Sequence, residues 1–126
     1  DRMVAWHGKP ATMDGYLVMF PKSPQVVFNV FALHQVDENG IERDFTLLNF
    51  DDPKVFEKIR IKLQEWWDKN PHTIKNIRNK YLNLGVKFKA MGSFNVGDPE
   101  QANPQILLGG PEDLTLIETK TTSGTP

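Results

Sequence analysis

The chain has no cysteine in its 126 residues. That excludes a disulfide framework, thiolate chemistry and any metal site built on cysteine. It fits a reducing compartment, and the chain reads as cytoplasmic or nucleoid-associated. Histidine is also scarce. His7, His34 and His72 are far apart, with no second histidine or carboxylate at metal-ligand spacing on one element, so no metal site is expected. No apolar run approaches the roughly 20 residues of a membrane helix, and no membrane partner is expected. No segment reads as a secretory leader. The chain opens on Asp1-Arg2-Met3, and so reads as a processed product or a piece of something longer. There is no Ser/His/Asp arrangement and no glycine pattern of a phosphate-cradling loop before a helix. No cofactor is implied.

What is present suits one domain able to bury a core. Its charge is unevenly placed. Residues 54–89 carry ten Lys/Arg against three Asp/Glu, a local charge of +7. Residues 1–53 and 90–126 each carry −4. The basic third is also where the apolar period changes. Before Asp51 apolar and polar residues alternate, as in strands; from Asp51 to Lys89 apolar residues recur every three or four positions, as in helices.

Tyr16 to Phe20 reads as a buried strand ended by Pro21. Residues 25–36 read as a long strand with its even face, from Val26 to Val36, toward the core. Asp37-Glu38-Asn39-Gly40 is a hairpin signal, because Asn-Gly tolerates the positive φ of tight turns. The return strand spans residues 41–50. A loop of two or four residues pairs the even face of the first strand with Phe45 and Leu47, leaving Phe31 and Leu33 with Glu42 and Asp44 on a mixed face. Asp51-Asp52-Pro53 caps a helix with an apolar stripe of Val55, Phe56, Ile59, Leu63 and Trp66 or Trp67. Asn70-Pro71 repeats that logic and predicts a second helix or turn with Ile74, Ile77, Tyr81 and Leu82 inward, stopped by Gly85. Residues 86–96 return to alternation, with Val86, Phe88 and Ala90 inward, Lys87 and Lys89 outward, and a bend at Gly92. Residues 105–108 and 114–119 read as two strands, or one strand bent at Gly109-Gly110-Pro111. The domain is expected over residues 1–120, with 121–126 a disordered tail.

The order is three strands, a helical insert and two more strands. It resembles the OB-fold proteins that bind single-stranded nucleic acid. That resemblance implies a mainly β, five-stranded barrel with a helix between its third and fourth strands. The rival architecture is an open antiparallel sheet packed on two helices.

Clustered cations with nearby aromatic rings suit a phosphate backbone and its bases. The expected contacts are Lys54, Lys58, Arg60, Lys62, Lys87 and Lys89 to phosphates, and Phe31, Phe94 and Trp67 to bases. Glu42 and Asp44 on the usual sheet face repel phosphate, which favours the basic insert and the Lys87/Lys89 strand. The expected partner is single-stranded nucleic acid, DNA ahead of RNA, bound without catalysis. The second reading is an assembly module, a homo-oligomer or an acidic protein partner meeting Trp66-Trp67 and the basic helices. The third rests on Glu118-Thr119-Lys120 at the end of an apolar strand. It looks like the strand motif of PD-(D/E)xK nucleases, which implies a Mg²⁺-holding carboxylate, a lysine beside the attacking water and a partner Asp such as Asp98.

Overall fold

The hairpin at residues 37–41 sets which side chains enter the core. Gly40 N–H donates to Asp37 O at 2.9 Å and Asp37 N–H to Ile41 O at 3.0 Å, leaving Glu38, Asn39 and Gly40 as the loop. Gly40 takes φ +79°, the left-handed value that ends a three-residue hairpin loop. An odd loop reverses the parity that a two- or four-residue loop imposes. In the observed register Leu33 faces Phe45 and His34 faces Asp44. Phe31, Leu33 and Leu47 are therefore core residues, with Phe45 packed against them. The expectation that the even face of the first strand is the core is corrected by this one-residue difference.

The computed structural model describes residues 8–77, 80–95 and 104–119. Its strands are β1 (Pro10–Phe20), β2 (Val30–Val36), β3 (Glu42–Leu48), β4 (Ile74–Ile77), β5 (Lys80–Asn95), β6 (Gln105–Leu107) and β7 (Leu114–Thr119). One α-helix lies among the described residues, α1 (Pro53–Asp68). The sheet closes on itself. β1 pairs β2, β2 pairs β3, β3 runs parallel to β6, β6 pairs β5, and β5 returns to β1. The protein is thus mainly β, with a five-stranded closed ring and a helical insert; the open-sheet alternative does not hold. β1 begins six residues before Tyr16, and residues 25–29 belong to the connecting loop rather than to β2.

β6 and β7 are the two halves of one interrupted strand, as the glycines at 109–110 suggested. β5 pairs with both, meeting Gln105–Leu107 with its far end and Leu114–Thr119 with its middle. α1 lies against the break: Lys62 Nζ donates to the carbonyls of Pro111 and Leu114, both at 2.9 Å. The helix starts as its sequence dictates. Asp52 Oδ1 accepts the Lys54 N–H at 2.9 Å, and Pro53 occupies the first turn, where its missing N–H costs nothing. Its inward stripe is Ile59, Leu63 and Trp67, which packs with the ring interior.

Of the second helix or turn expected after Asn70-Pro71, it is the turn that forms. Asn70 precedes that turn without a side-chain cap bond, and its Nδ2 donates back to Trp66 O of α1 at 2.9 Å. Pro71–Thr73 makes a single 3₁₀ turn, and Ile74 to Ile77 then pairs with the start of β5. Buried Asn83 ties these parts together. Its Nδ2 donates to Asn70 O at 3.2 Å, and its Oδ1 accepts from Thr73 Oγ1 at 2.6 Å and from Gly85 N–H at 2.9 Å. Gly85 is therefore a strand residue, not a helix stop, and a Cβ there would overlap Thr73 Oγ1. The register shifts in the pairings of β5 lie away from Gly92. The pairing with β1 shifts between Tyr16 and Leu17, and the pairing with β7 between Lys87 and Phe88.

Candidate nucleic-acid interface

The three aromatic residues expected to stack on bases are core residues. Phe31 is 2%, Phe94 4% and Trp67 5% exposed. Phe31 packs edge-on against Trp67 with ring centroids 6.2 Å apart, and Phe94 lies 6.2 Å from Phe45. None presents a ring face to a base. The cause for Phe31 is the hairpin parity; for Trp67 it is the inward stripe of α1.

The expected cations do not share one surface. Successive helix residues turn by 100°, so Arg60 and Lys62 point about 200° apart, on opposite flanks of the buried stripe. Lys62 is used on the β6–β7 break. Arg60 reaches the loop at 21–29, where its guanidinium carbon sits 4.4 Å from the Phe28 ring centroid and 5.1 Å from that of Phe56. Lys54 and Lys58 stay on the solvent side. Lys87 and Lys89 lie on β5, on the outer wall of the ring.

That wall carries a cleft of about 370 Å³, lined by Asp14, Gly15, Tyr16, His34, Gln35, Val36 and Lys87. β1 supplies the aromatic residue. Tyr16 faces outward because Leu17 faces in, and it lies opposite both His34 of β2 and Lys87 of β5. Lys87 Nζ is 5.4 Å from the Tyr16 ring centroid and 3.9 Å from Asp14 Oδ2. Lys89 is exposed two residues along the same face.

The acidic residues that argued against this side of the sheet are matched. His34 Nδ1 lies 2.8 Å from Asp44 Oδ1, and Nε2 lies 3.1 Å from Glu42 Oε1. Lys80 on β5 forms an ion pair with the second Asp44 oxygen. These carboxylates share a face with His34 and Ala32, not with Phe31 and Leu33.

Tyr16 and Phe28 are the aromatic residues that the sequence reading did not select. The signal for Tyr16 was its place as the one polar-tipped ring in an apolar strand next to a glycine; Phe28 lay in the alternation of residues 25–36 that reads as strand, and only the nearby Pro21 and Pro24 pointed to a loop. In the Trp66-Trp67 pair, Trp67 is buried and Trp66 half-buried beneath Lys69, whose Nζ is 4.5 Å from a Trp66 ring centroid. The pair does not project as one docking surface. Of the nuclease residues, the Glu118 side chain, Lys120 and Asp98 fall outside the described residues.

No family model, no curated protein and no solved structure matches the chain.

Proposed function

We propose that this is an OB-fold domain that binds single-stranded nucleic acid on the outer wall made by β1 and β5. Two features support the reading at the level of the fold: a closed ring of five strands, and a helix placed between its third and fourth strands. Fold likeness alone does not carry a function. The observation that carries it is the wall cleft, where Tyr16 and Lys87 stand together with Lys89 beside them.

The chemistry follows from those side chains. A base stacks on the Tyr16 ring, and the flanking phosphates meet Lys87 and Lys89. A phosphate replaces Asp14 as the partner of Lys87, which is held only at 3.9 Å. The Lys80 ion pair offsets the charge of Asp44 that would otherwise oppose the strand. Fluorescence anisotropy of labelled oligo(dT), with oligo(U) as the RNA arm, tests the reading. Tyr16→Ala is expected to weaken binding about tenfold, the effect of losing one stacked base. Unchanged affinity in that variant would remove the cleft from the account.

A further inference from the structure

Arg60 is the cation with the least ordinary surroundings. Its guanidinium is held by two rings, Phe28 and Phe56, themselves edge-on at 5.4 Å. Its Nε is buried with no hydrogen-bond partner. No carboxylate is ion-paired with it among the described residues. A buried donor without a partner is costly, by about 1–3 kcal/mol, so the placement asks for a use.

Around Arg60 the loop at 21–29 and α1 enclose a cleft of about 280 Å³. Its lining includes Lys22, Phe28, Asn29, Arg60, Ile61 and Gln64. It contains two cations and no carboxylate. Its walls are fixed to each other. Lys22 N–H donates to Asn29 Oδ1 at 3.0 Å, and Asn29 Nδ2 to Gln64 Oε1 at 3.1 Å, which fastens the loop to the helix. Ser23 N–H donates to Val26 O at 2.8 Å and Val26 N–H returns to Ser23 Oγ at 3.2 Å, closing the turn between them. Gln64 Nε2 also donates to Asp68 Oδ1 at 3.0 Å; each amide NH₂ has two hydrogens, so Asn29 and Gln64 each keep one further donor.

We propose that this cleft binds a phosphate monoester, the terminal phosphate of a nucleotide or of a nucleic-acid strand. A monoester carries a charge of about −1.5 to −2 at neutral pH, which matches one lysine and one arginine. The aromatic clamp sets the guanidinium plane in advance, so its terminal nitrogens offer a forked pair of donors without first being ordered. The amides supply neutral donors to the remaining oxygens. The site is separate from the wall cleft and stands whether or not the wall binds a strand.

The test uses the full chain and calorimetric titration with AMP against adenosine. AMP is expected to bind and adenosine to bind at least tenfold more weakly. Lys22→Ala removes an exposed side chain, so the fold is kept, and is expected to weaken AMP about tenfold. Arg60→Gln is expected to abolish AMP binding, and Tyr16→Ala to leave it unchanged. A second arm compares oligo(dT) with a 5′-phosphate and with a 5′-hydroxyl. A preference for the phosphorylated end, lost in Lys22→Ala, assigns the site to strand ends; AMP binding with no such preference assigns it to free nucleotides. Equal affinity for AMP and adenosine, no AMP binding at millimolar concentration, or AMP binding indifferent to Lys22→Ala overturns the proposal. Failure of both oligonucleotides to bind would instead count against the wall reading, since AMP reports on this cleft alone.

Discussion

Asp37 holds the hairpin loop together from a single carboxylate. Its Oδ1 accepts the N–H groups of Asn39 at 2.8 Å and Ile41 at 2.9 Å, and its Oδ2 accepts from Arg43 Nη1 at 2.9 Å. The Ile41 bond first, and then the bond from Arg43, hold its carboxyl below the ordinary value of 3.8. A carboxylate lowered in the folded state stabilises that state above its unfolded pKa, and the contribution is lost as pH falls through the folded value. Thermal stability is therefore expected to drop below about pH 4, with a smaller drop in Asp37→Asn. Melting temperature recorded against pH checks this, and parallel curves for the two proteins would contradict it. The same residue shows what a sequence can and cannot reveal. Asn39-Gly40 marked the turn but did not give its length, and the three-residue form comes with the local bonds of the Asp37 side chain. The one-residue difference moved Phe31 from a candidate ligand contact into the core.

At the scale of the element, α1 was legible almost to the residue. An Asp-Pro cap and an apolar stripe at three- and four-residue spacing are local signals, and they fixed its start and its inward face. Ile59→Ala is expected to cost about 2–5 kcal/mol through the lost burial and the cavity left behind. Ile61→Ala, on the exposed side, is expected to stay within about 0.5 kcal/mol. Urea unfolding of both variants measures the difference, and similar losses would contradict the placement of the stripe. The segment after α1 was not legible. Ile74 and Ile77 have helical spacing, but a strand of four residues is too short to show its own period. What decides it is the pairing with β5 and the buried Asn83, both contacts between separate stretches of chain. Lys87 and Lys89, by contrast, were placed outward correctly, because β5 alternates cleanly there.

For the whole molecule, the charge of residues 54–89 looks like a single basic patch when read along the chain. Folding divides it. Lys62 is tied to two carbonyls, Lys80 to Asp44, Arg60 to two aromatic rings, and Lys87 with Lys89 to the wall. The mainly β ring with its helical insert was legible from element order, whereas the site was legible only in part. Cations on a strand reveal their face through period, but which aromatic residues stay outside depends on register and closure.

The central claim is that the β1–β5 wall takes the phosphates of a single strand. The salt dependence of oligo(dT) affinity tests it most directly, because each phosphate contact adds about 0.7 to the slope of log affinity against log salt. The Lys87→Ala/Lys89→Ala double variant is expected to flatten that slope by roughly 1.4 and to weaken binding at low salt. An unchanged slope in the double variant would place the strand elsewhere on the molecule and contradict the account.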